Sequence, residues 1–110
     1  MDEEIVMKGL KHMTRIITNT EIYDGTSAKI LDVINGEQVK IQGVGAGSYT
    51  LKGRLSSDSA FDTICCIKVS DFSKATSITN TAVYSADVSG YSQITVEASD
   101  FDKVVAVIIG

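Results

Sequence analysis

Few side chains in this chain are of the kind that break or make bonds. His12 is the sole histidine, Cys65 and Cys66 are the only cysteines, and the fourteen carboxylates are scattered. Adjacent residues in a strand point to opposite faces, so Cys65 and Cys66 are read as two reduced thiols, small apolar filler in the segment Phe61–Val69. A reactive thiolate needs a basic neighbour, and only Lys68 is on offer. Two adjacent thiols and the distant His12 lack the paired spacing of a tetrahedral zinc site. As a general base, His12 has no evident partner. Asp58, Asp71 and Asp100 each follow a serine near a phenylalanine, an echo that fits turn composition better than an internal duplication. No Asp-x-Asp-x-Asp-Gly run of a calcium loop is present. Carboxylates paired in space for glycoside hydrolysis are the weakest of these options, since such clefts are lined with aromatic rings and the chain has no tryptophan. Gly43-Val44-Gly45-Ala46-Gly47 leads into a strand, so a pyrophosphate there would lack the helix N-terminus it needs. The expectation is a non-enzymatic protein with no catalytic residues, no metal and no cofactor.

The elements around these residues are read from a two-residue period. In Ser48–Leu55 the residues Tyr49, Leu51, Gly53 and Leu55 share one face, and Ser48, Thr50, Lys52 and Arg54 the other. Gln93–Ala98 turns Ile94, Val96 and Ala98 inward, and Glu37–Gln42 does the same with Val39 and Ile41. Phe61–Val69 and Lys103–Ile109 are more continuously apolar, as expected of central strands covered on both faces or lying at a subunit contact. Asn35-Gly36, Gly43–Gly47, Ser56–Ser59 and Ser89-Gly90 are read as turns, the glycine-rich one taking the chain round a corner between sheets. The fold class is all-β: a single antiparallel β-sandwich, jelly-roll or Ig-like, with a short N-terminal arm or helix.

A chain of 110 residues fits one domain. The net charge of −4 and isolated lysines and arginines argue against nucleic acid as a partner. No apolar run reaches the ~20 residues of a membrane span, and Met1-Asp2-Glu3-Glu4 is acidic where a secretory signal is basic, so a soluble protein made in a cytoplasm is expected. Residues 1–12 differ from the rest: acidic charge precedes basic charge, and Ile5, Val6, Leu10 and Met13 fall near a helical stripe that Gly9 weakens. They are read as an arm that orders against a neighbouring subunit, with residues 13–110 forming the sandwich domain.

Val39–Gly43, the glycine-rich turn, Ser48–Asp58, Ala82–Tyr91 and the closing Val104–Gly110 together resemble small β-sandwich proteins of bacteriophage virions. Those proteins carry a G-x-x-Y-T-L-x-G-S-x-D-G hairpin and a Y-x-x-D-V-S-G segment before a last strand ending in Gly. Phe61 stands near the position where they often have a Trp. The resemblance covers about the C-terminal two-thirds and implies a capsid decoration, head-fibre or tail-associated subunit, assembled in the host bacterial cytoplasm and located in the virion. It further implies a homo-oligomer, a trimer by preference, that contacts the major capsid protein or another virion protein. The residues expected at contacts are Ile5, Val6 and Leu10 of the arm and the Val105, Val107, Ile109 face of the last strand. The alternative is a carbohydrate- or cell-surface-binding module using Tyr23, Tyr84 and Tyr91 as stacking platforms.

Overall fold

The computed structural model describes Ile16–Gly110; the expected arm, its residues Ile5, Val6 and Leu10, and His12 lie outside the described residues. Among the described residues there is no helix. The strands are β1 (Ile16–Tyr23), β2 (Leu31–Asp32), β3 (Gln38–Arg54), β4 (Asp62–Thr63), β5 (Cys66–Lys68), β6 (Lys74–Ala75), β7 (Tyr84–Asp87) and β8 (Gln93–Ile109). They form one antiparallel, unclosed sheet in the order β1-β8-β3-β7-β5-β6, with β2 on β8 and β4 on β3.

β3 and β8 organise the domain. Each is 17 residues long and they pair from Gln38–Ile109 to Arg54–Gln93. A straight strand of that length spans about 53 Å. Yet Val33 donates its N–H to Ser92 at the start of β8, and Glu37 donates its own to Ile109 at the end. Four residues reach at most about 15 Å. The two ends of β8 must therefore lie close together. Val88, bonded to Glu37, and Ser92, bonded to Arg54, bring the ends of β3 together in the same way. The β3–β8 ribbon is thus bent back on itself, and a single sheet becomes a two-leaf sandwich. The first leaf holds β1, the C-terminal half of β8, the N-terminal half of β3, β7, β5 and β6. The second holds β2, the other halves of β8 and β3, and β4.

The corner is a pair of bulges. Register slips between Val44–Lys103, Gly45–Phe101 and Ser48–Ser99, leaving Asp102 unmatched on one strand and Ala46-Gly47 against Asp100 on the other. A Cβ at Gly47 would stand 2.2 Å from the Ser99 carbonyl oxygen, and one at Gly43 2.7 Å from the Phe101 ring. The absence of side chains there lets the strands cross closely and lets Phe101 fill the bend, 5.8 Å from the Tyr49 ring. Gly43–Gly47 is therefore a bulged stretch of continuous strand, where a turn was expected; it does make the expected corner.

Alternation is obeyed on both leaves. Val39, Ile41, Val104, Ala106 and Ile108 of the first leaf and Tyr49, Leu51, Ile94 and Val96 of the second face inward into one core. Leu55 departs from its expected inward place and is 71% exposed, because β3 ends at Arg54. Phe61–Val69 is not one central strand. Its first part pairs with β3 in the second leaf and its last part with β7 in the first, and the chain crosses between leaves at Ile64-Cys65. Its run of apolar residues reflects that crossing, which buries Ile64 and Cys66 and leaves Cys65 exposed. β1, whose Thr-Asn-Thr-Glu centre masks its apolar ends, was not expected as a strand.

Candidate interaction surface

The two leaves present unlike outer faces. On the second, outward positions are polar and matched to one another: Lys52 pairs with Glu97 at 3.3 Å, Arg54 Nε donates to Gln93 at 2.9 Å, and Ser48 and Ser99 share a hydrogen bond. The Arg54 guanidinium also sits 4.4 Å from the centre of the half-buried Phe61 ring.

On the first leaf the outward positions of β8 are Val105, Val107 and Ile109, each half-buried, opposite the fully buried Val104, Ala106 and Ile108. Register carries this face across the leaf. Val105 lies between Glu21 and Gln42, Val107 between Asn19 and Lys40, and Ile109 between Ile16 and Gln38. Ser85 and Ile67 extend the Lys40 row, and Asp87 the Gln38 row. Val83 closes a shallow depression with Val105 and Val107, beside Gln42, whose side-chain amide donates to the Thr81 carbonyl. Ile67, Val69 and Val83 retain 37%, 42% and 36% exposure respectively at this side. Val105, Val107 and Ile109 are thus partly exposed on the outer face of the first leaf.

At the edge of the same leaf, with β3 and β7 between it and β8, the β5–β6 connection carries Phe72. Its ring is 78% exposed and its φ is +62°, in the left-handed region that bulky residues avoid. The turn is held by Lys68 on both sides: its N–H donates to Ser73 and its carbonyl accepts from Phe72. The Asp71 carboxylate accepts from the Ser73 hydroxyl at 2.7 Å and from its N–H at 2.9 Å. These two bonds, with Lys68 beside them, hold the Asp71 pKa below the ordinary carboxylate value. The same Asp-x-Ser bonding recurs at Asp87 and Ser89, lowering Asp87 through the Ser89 N–H first and its hydroxyl second. Asp24 accepts from the N–H groups of Ser27 and Thr26 and from the Thr26 hydroxyl, which bring it down to about 2. These carboxylates are turn-makers, and among the described residues no three His, Cys, Asp or Glu side chains converge in a way that could hold a metal ion.

The three tyrosines are not brought together. Tyr23 and Tyr84 are buried, with their hydroxyls bonded to the Gly25 carbonyl and the Asn80 side chain, and Tyr91 lies half-buried against Gly53 at the far end of the second leaf. The side chain with the least satisfied polar group is Tyr49, whose buried hydroxyl has no partner. Burial raises its pKa, as it raises that of the Cys66 thiol to about 12. The β8 stripe lies within the continuously apolar run Lys103–Ile109 noted in the sequence; nothing in the sequence points to Phe72, which lies in a Ser-Asp-Phe-Ser turn indistinguishable by composition from the others.

Together, fold and surface define an all-β sandwich with one polar outer face and one carrying an apolar stripe. No protein-family model matches the chain, and no curated protein matches it in sequence. Solved structures do match. The SPBc2 prophage-derived protein YomS superposes with a TM-score of 0.75 at 12% identity, over 89% of this chain and 96% of that one. The PBSX exported protein XepA superposes with a TM-score of 0.76 at 14% identity, over 90% of this chain and 39% of that one. At these identities the likeness is one of fold.

Proposed function

We propose that this protein is a non-enzymatic structural subunit of a bacteriophage virion, of the capsid-decoration or head-fibre kind, which assembles with copies of itself and with a virion protein such as the major capsid protein. The observation that carries this reading is the partly exposed apolar stripe Val105–Val107–Ile109 on the outer face of the first leaf. A soluble domain gains nothing by itself from apolar side chains in that position, whereas a partner sheet or loop laid on them removes them from water. Phe72 supports the same reading as an exposed aromatic side chain at the edge of the same leaf. The prophage origin of two proteins that share the fold favours a phage setting over other uses of a β-sandwich. A trimer suits the local symmetry of a capsid.

The test is the solution mass of the full chain by light scattering, alongside Val107→Glu. The expected result is a discrete multimer for the natural chain and a folded monomer for Val107→Glu, since a charge on the stripe is tolerated in water and not in a contact. A natural chain that stays monomeric at every concentration would remove self-assembly through this face.

A further inference from the structure

On the outer face of the first leaf a groove of about 590 Å³ opens beside the last residue of the stripe. Ile67 of β5 and Ile109 of β8 give it apolar walls, Glu37 and Asp87 line it with carboxylates, and no lysine or arginine is among its described lining residues. Register brings these residues together: Asp87 stands opposite Gln38, Gln38 opposite Ile109, and Ile67 opposite Ser85. At its edge the same leaf displays a segment of complementary character. Phe72 is 78% exposed and held in its left-handed conformation by its N–H bond to the Lys68 carbonyl and by the bonds of Asp71 to Ser73. Lys68 and Lys74 flank it. Lys68 lies 3.9 Å from Asp71, so those two charges largely cancel and Lys74 leaves the turn net positive.

Phe72 does not line the groove of its own domain. From Ile67 opposite Ser85, β5 runs to Lys68 opposite Tyr84, away from the Gln38–Asp87 row, and the turn follows at that far end. A second copy has no such constraint. An aromatic ring laid between Ile67 and Ile109 buries roughly 150–250 Å² of its own surface, and a lysine beside two carboxylates fixes the register of the contact. We infer that the Phe72 turn of one copy seats in the Ile67–Ile109 groove of the next, with Lys74 against Glu37 and Asp87. The inference rests on the self-assembly proposed above and names its contact. One ring falls well short of the ~1,200 Å² that a stable interface buries, so the Val105–Val107 stripe, continuous with the groove through Ile109, supplies the rest. Knob and groove are different surfaces. Their contact is therefore heterologous, the kind a cyclic trimer requires and a two-fold dimer does not.

Light scattering over a dilution series reads the contact, with thermal unfolding to show that each full-length variant is folded. Phe72→Ser removes the knob, and Ile67→Ser/Glu37→Lys spoils the groove. Each alone should need at least about thirtyfold more protein than the natural chain to assemble, the loss expected on truncating a central aromatic anchor. Mixed in equal amounts, the two variants retain one intact groove and one intact knob between them, so they should associate and stop at the mass of two chains. Lys74→Glu should weaken assembly, and Lys74→Glu combined with Glu37→Lys should recover it. Assembly that Phe72→Ser leaves unchanged, a mixture no larger than either variant alone, or a charge swap no better than Lys74→Glu would overturn this contact while leaving self-assembly through the stripe in place. A natural chain that is monomeric at every concentration would overturn both.

Discussion

Replacing Phe72 by glycine should leave the domain within about 1 kcal/mol of its natural stability, although loss of a phenylalanine side chain is among the most damaging of substitutions elsewhere. The figure follows from three opposing effects. Relief of the left-handed backbone at φ +62° returns roughly 1–2 kcal/mol, the penalty an L side chain carries there. The ring is 78% exposed, so about a fifth of the ~1.5–3 kcal/mol of full burial is given up. Glycine adds about 0.5–1 kcal/mol of unfolded-state entropy. The sum lies near zero, against the ~3–5 kcal/mol expected for truncating a buried ring such as Phe101. Urea unfolding followed by circular dichroism measures the first quantity, and light scattering of the same samples measures assembly, which should weaken because the knob is gone. A stability loss above about 2 kcal/mol would refute the reasoning, by showing that the ring packs on its own domain. An assembled mass untouched by the change would remove Phe72 from the contact.

Tyr49→Phe should stabilise the domain by about 1 kcal/mol, since it deletes a buried hydroxyl without a partner; the thermal midpoint is expected to rise by several degrees. Gly47→Ala should destabilise by at least ~3 kcal/mol or prevent folding, because its methyl would fall on the backbone of Ser99 and Phe101, which no rotamer change can move; expression yield and unfolding midpoint report it. Asp24, Asp71 and Asp87 have folded-state pKa values below the unfolded value near 3.8, so the stability they contribute is fully present above pH 4. It is lost as pH falls through the folded values, toward about 2 for Asp24, and an unfolding midpoint followed from pH 5 to 2 should decline less steeply in Asp24→Asn. A thiol reagent at pH 8 should label one cysteine of the native protein, the exposed Cys65, and reach Cys66 only in denaturant, since burial holds that thiol's pKa at about 12.

Much of the local structure was legible because a strand writes its two faces into alternate residues. The inward sets Val39/Ile41, Tyr49/Leu51 and Ile94/Val96 needed no knowledge of partners, and neither did the opposite orientation of Cys65 and Cys66. Legibility failed where one segment serves two environments. Phe61–Val69 is apolar throughout because it crosses the core between leaves, a fact that mimics a doubly covered strand. Leu55 fits the period of its neighbours, and only the end of pairing at Arg54 turns it out.

The sequence by itself determined an all-β chain, the inward faces of its principal strands and the corner at Gly43–Gly47, because these depend on side-chain period and on backbone room at a few glycines. Tertiary structure alone decided that Val39–Gly43 and Ser48–Arg54 are one strand bent through a bulge, that Tyr23 and Tyr84 belong to the core, and that Val105, Val107 and Ile109 stay partly exposed. Those outcomes rest on register between residues more than ninety positions apart, as in Ile16 and Ile109, and whether a face is buried is a property of what lies across from it.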